Sequence, residues 1–114
     1  MMSQQAEKVL IMKIQIHQTH QSIADFDNIF KYLEENISED IEGLHIMPEL
    51  FLTGYPLQDL CVQKSFIKAY QTHLKKVTKW SKTLGPKVTL LIGGLHYELT
   101  KSGLPQSIEN VVYK

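Results

Sequence analysis

A chain of 114 residues, 43% hydrophobic and 21% charged, has the composition of one ordinary globular domain or part of one. Its 12 Lys+Arg balance 12 Asp+Glu, and all of those cations are lysine, which lacks the guanidinium fork that reads guanine or clamps phosphate, so nucleic acid is not an expected partner. The lone Cys61 forms no internal disulfide, and the polar start is followed by an apolar run, residues 9–12, that breaks at Lys13, too short for a signal segment or a membrane span. A cytoplasmic protein without membrane attachment is the expectation.

In chain order, Val9-Leu10-Ile11-Met12-Lys13-Ile14-Gln15-Ile16-His17 passes from an apolar run into alternation and predicts a strand buried on at least one face. From Asp25 the period becomes helical, with Phe26, Ile29, Phe30, Leu33 and Ile37 on one stripe and Asp25 placed to cap the first turn. Gly43-Leu44-His45-Ile46-Met47-Pro48 predicts a short strand that proline ends, since proline donates nothing to a ladder. The stretch to Leu60 is aperiodic and carries Gly54 and Pro56, which predicts a structured loop.

Phe66, Ile67, Tyr70, Leu74, Val77 and Leu84 then trace a helical stripe that Gly85-Pro86 stops. Val88-Thr89-Leu90-Leu91-Ile92 predicts a buried strand, and Gly93-Gly94 permits close backbone approach after it. The turn at Lys101-Ser102-Gly103-Leu104-Pro105 leads to a last strand over Ile108-Glu109-Asn110-Val111-Val112-Tyr113. The order β-α-β-α-β-β predicts an α/β layered sheet with helices on one side. A sheet whose last strand meets the last residue leaves an open edge, so the chain (residues 1–114) is expected to be part of a larger domain and to associate as a homo-oligomer.

The chemistry concentrates at Met47-Pro48-Glu49-Leu50-Phe51-Leu52-Thr53-Gly54-Tyr55-Pro56, where a carboxylate follows an apolar strand between apolar neighbours. Desolvation there disfavours the ionised form, which makes Glu49 a candidate general base; the alternative is a strand-end Glu that simply reaches water. Five histidines, His17, His20, His45, His73 and His96, show no ligand spacing completed by Cys or carboxylate, so no metal is expected. The acid-free run of residues 64–87 carries Lys64, Lys68, Lys75, Lys76, Lys79, Lys82 and Lys87 and reads as a solvated helix face rather than a docking face.

Pro48-Glu49-Leu50-Phe51-Leu52-Thr53-Gly54-Tyr55-Pro56 resembles the first catalytic motif of the nitrilase, or carbon–nitrogen hydrolase, superfamily. With its continuation Leu57-Gln58-Asp59-Leu60 it is most similar to the glutaminase domains of glutamine-dependent NAD synthetases. The opening strand, Asn28 at the first helix and Ile108-Glu109-Asn110-Val111-Val112 resemble the family as well. The resemblance implies an αββα sandwich and a Glu-Lys-Cys triad in which thiolate attacks the carboxamide, Glu moves protons and Lys stabilises the oxyanion.

By that resemblance Glu49 is the catalytic Glu, and the Lys and Cys positions fall after Lys114, so the chain alone is expected to be inactive. Tyr55 matches an aromatic that helps hold the glutamine substrate; packing as a turn aromatic is the alternative. ATP and Mg are expected only in the synthetase domain that amidates deamido-NAD, not in this chain. A stand-alone amidase and a non-catalytic interaction module are the other readings. Cys61 does not match the nucleophile position. His17 stands where the family usually has a small residue, and Glu109 where an aromatic precedes the Asn, which weakens any role for Gln18 and Asn110.

Overall fold

The computed structural model describes residues 13–114, so the apolar run 9–12 expected to open the first strand lies outside the described residues. The elements are β1 (Ile14–Ile16), α1 (Phe26–Asn36), β2 (Gly43–Ile46), α2 (Lys64–Ser81), β3 (Val88–Leu99) and β4 (Pro105–Tyr113), with short 3-10 helices at Gln58–Val62 and Lys82–Leu84. They form a mixed α/β layer whose four strands lie in the order β1-β2-β3-β4. β1 and β3 flank β2 in parallel, and β4 returns antiparallel to β3.

Two successive parallel crossovers of the same hand put α1 and α2 on the same face of the sheet. Their stripes supply the core: Ile29 and Leu33 from α1, and Phe66, Ile67, Tyr70 and Val77 from α2, close over Leu90 and Ile92 of β3. The lysines of α2 are exposed, as its amphipathic pattern predicts, and Lys76 lies over the Phe30 ring at 4.2 Å. Asp25 takes the N-cap position of α1 without a side-chain capping bond; its carboxylate instead accepts from Asn28 Nδ2 at 2.7 Å.

Among the described residues no helix packs on the other face of the sheet. Ile14 and Ile16 are 56% and 66% exposed, contrary to the burial expected for that side of β1. The register explains it: Ile14 lies beside Leu44, and Ile16 beside Ile46 and then Leu91, in rows that face away from α1 and α2. The helices cover the alternate residues His45 and Leu90 instead.

β3 runs on through Gly93-Gly94 to Leu99, well past its pairing with β2, which ends at Leu91. Beyond that point other groups satisfy its free edge. The amides of Met47 and Leu52 donate to Leu91 O and Gly93 O at 2.9 and 3.0 Å. The Tyr70 hydroxyl donates to Leu95 O and accepts from Leu95 N, both at 2.9 Å. Tyr97 Oη donates to Cys61 O at 2.6 Å. A buried strand edge must be paired somewhere, and these bonds fix residues 47–62 against β3.

Candidate functional site

The segment after β2 is shaped by contacts that the backbone makes in both directions. Thr53 is fully buried, and its hydroxyl lies 3.0 Å from both Leu50 O and Gly54 O. The Thr53 carbonyl accepts from Ala24 N at 2.8 Å, and the Tyr55 amide donates to Gln21 O at 3.0 Å, which ties the loop to the segment following β1. Gly54 has φ +78°, and a Cβ there would sit 2.2 Å from Ser22 O, so only glycine fits this crossing. Gly93 plays the same part on β3, where a Cβ would lie 2.7 Å from Leu50 N and 2.8 Å from Pro48 O.

These contacts bring Glu49 and Tyr55 to one cavity of about 200 Å³, whose walls include Thr19, His20, Gln21, Leu50 and Gly54. Asn110, on β4 opposite Leu95, donates through Nδ2 to Glu49 Oε1 at 2.5 Å. A neutral amide donor fixes one carboxylate oxygen and leaves the second free to exchange a proton. Glu49 is exposed and Tyr55 is 60% exposed, so the desolvation expected from the apolar neighbours of Glu49 is absent: those neighbours turn into the core, and the carboxylate points outward.

Asn110 is the partner that sequence reasoning undervalued, because the atypical Glu109 drew attention away from it; Glu109 itself lies opposite His96. Thr19, His20 and Gln21 were missed as well, since they sit in a polar connection with no period. Gln18 does not line the cavity. Cys61 lies in the 3-10 helix before α2, half-buried, with Sγ 3.3 Å from Gln58 O and away from this cavity. Lys114 borders a separate cleft with Leu74 and Tyr113.

Among the described residues no group of three or more His, Cys, Asp or Glu could hold a metal ion. Two of the histidines do meet: His17 Nε2 lies 3.0 Å from His45 Nδ1. No helix among the described residues is long and apolar enough to cross a membrane.

No family model matches the chain. It is similar to the glutamine-dependent NAD(+) synthetase of Thermotoga maritima, with 34% identity over 85 residues, which is 72% of this chain and 14% of that protein. The chain therefore corresponds to a small share of that relative's length, and it is related in sequence to a segment of a glutamine-dependent NAD synthetase.

Proposed function

We propose that the chain supplies Glu49 as the general base of a nitrilase-type glutaminase site within a glutamine-dependent NAD synthetase. The carrying observation is the placement of Glu49 just past the end of β2, on a cavity shared with Tyr55 and with its carboxylate held by Asn110. The similarity to the Thermotoga protein supports the same reading. In this scheme the free carboxylate oxygen takes the proton of the attacking thiol and returns it to the departing ammonia, while Tyr55 flanks the bound glutamine. The Lys that stabilises the oxyanion and the Cys that attacks match no position in these 114 residues. Ammonia then passes to a domain that uses ATP and Mg to amidate deamido-NAD. The outward-facing carboxylate suits a half-site that a Lys- and Cys-bearing segment closes over.

Grafting tests this directly. The matched segment of the Thermotoga synthetase is replaced by its counterpart from this chain, and NAD formation is measured with glutamine and with ammonia. The expected result is activity with both nitrogen sources, with Glu49→Gln abolishing only the glutamine-dependent reaction. Glutamine-dependent turnover that survives Glu49→Gln would overturn the proposal. The chain by itself should release no glutamate from glutamine above the buffer rate, because a carboxylate alone forms no acyl-enzyme.

A further inference from the structure

The end of β1 is joined to β2 and α1 by a line of side chains that the proposed chemistry does not use. Tyr32 Oη lies 2.8 Å from His17 Nδ1, His17 Nε2 lies 3.0 Å from His45 Nδ1, and His45 Nε2 lies 3.0 Å from Ile41 O. His17 is 5% exposed and His45 is 1% exposed. The protons in this line are determined from one end. A carbonyl only accepts, so His45 carries its proton on Nε2 and accepts at Nδ1; His17 must then donate from Nε2 and accept the Tyr32 hydroxyl at Nδ1.

One added proton can be absorbed by reversing the upper half of the line. His45 then donates from Nδ1 to His17 Nε2, and His17 donates from Nδ1 to Tyr32 Oη. A second proton cannot be absorbed, because it sets N–H against N–H and two cations side by side in a buried site.

We propose that His17, His45 and Tyr32 form a proton-counting clasp that holds the end of β1 against β2 and α1 and opens when both imidazoles are charged. Burial, and next the charge of His45, lower the pKa of His17, in accord with this. The titratable groups against the His17 ring are His45 from β2 and Tyr32 from α1, and Phe51 meets the edge of Tyr32. Asp40 and Glu42 flank Ile41 in sequence, and Glu42 is paired with Lys87 at 3.4 Å. Among the described residues no carboxylate forms an ion pair with either imidazole. Opening would free the ladder bond from His17 N to Ile46 O, and with it residues 19–21, which wall the Glu49 cavity. The clasp stands whether or not that cavity takes an amide.

Site-resolved hydrogen exchange of the 114-residue chain between pH 7.5 and pH 5 tests it. Below about pH 6.5 the closed clasp holds one added proton and the open one holds two, so the protection factor of the His17 amide should fall about tenfold per pH unit while staying below those of the α2 amides, which open only by global unfolding. Tyr32→Phe removes the acceptor that makes the first proton tolerable, so in that variant the fall should steepen toward about a hundredfold per pH unit. At neutral pH, imidazole nitrogen spectra of the unaltered chain should show both rings protonated at Nε2. Protection at His17 that equals that of α2 at every pH, a slope no steeper in Tyr32→Phe, or an Nδ1-protonated His17 at neutral pH would each overturn the proposal.

Discussion

His73 shows how strongly a single side chain can be bound to its surroundings. It is 5% exposed, its ring is stacked on Phe26 at a centroid distance of 4.6 Å, and its Nε2 has no hydrogen-bond partner. Burial, and then the charge of Lys76, push its pKa down to about 4. Unfolding restores an ordinary imidazole near pH 6.5, so the unfolded chain binds the extra proton in the window between those values. Stability is fully present above about pH 6.5 and is lost as the pH falls toward 4. From pH 7 to pH 5 this residue should cost about 2 kcal/mol. His73→Leu should therefore flatten the fall in urea midpoint over that interval, with Trp80 fluorescence as the probe. An equally steep fall in the variant would show that other groups carry the pH dependence.

Tyr70 and Tyr97 illustrate the same cause with the opposite sign. Burial raises both, Tyr97 to about 12, so both remain protonated donors throughout the range in which the chain can be studied. That keeps the Tyr70 hydroxyl available to Leu95 on the free edge of β3 and the Tyr97 hydroxyl available to Cys61 O.

At the scale of elements, the decisive joint lies between that edge and the loop after β2. Tyr70→Phe removes the hydroxyl that bridges Leu95 N and O; Tyr113 still donates to Leu95 O at 2.6 Å, but the amide is left bare. The expected loss is about 1–3 kcal/mol by urea denaturation, the cost of one buried unsatisfied donor. Gly93→Ala presses a methyl against the backbone at Pro48 and Leu50, neither of which can rotate away. It should cost about 1–3 kcal/mol and shift the Glu49 resonances more than those of α1. A shift confined to α1 would show that Gly93 does not position the loop.

At the scale of the molecule, the helices among the described residues cover one face of the sheet. Ile16, Ile46 and Leu91 form a row across three strands, and Val112, 67% exposed, extends the same face on β4. Contiguous apolar surface of this kind seeks a cover. The 114-residue chain should therefore sediment as a concentration-dependent mixture, and Ile16→Lys with Val112→Lys should shift it toward monomer without lowering the thermal midpoint. A monomer unaffected by concentration in the unaltered chain would show that this face tolerates water.

Local periodicity was enough to find α1, α2 and the succession of strands and helices along the chain, because burial of a stripe on one face of a helix leaves a repeat in the residues themselves. That Glu49 and Tyr55 share one hollow was legible too, through a motif that packs two chemical groups and a turn into a few consecutive residues. What consecutive residues do not encode is contact between distant ones. Asn110 reaches Glu49 across 61 positions, and His17 reaches His45 across 28, because a register and a crossover bring them together. The exposure of Ile14 and Ile16 was likewise decided by tertiary structure: alternation marks that a strand has two faces, but only the hand of the crossovers determines which face the helices cover.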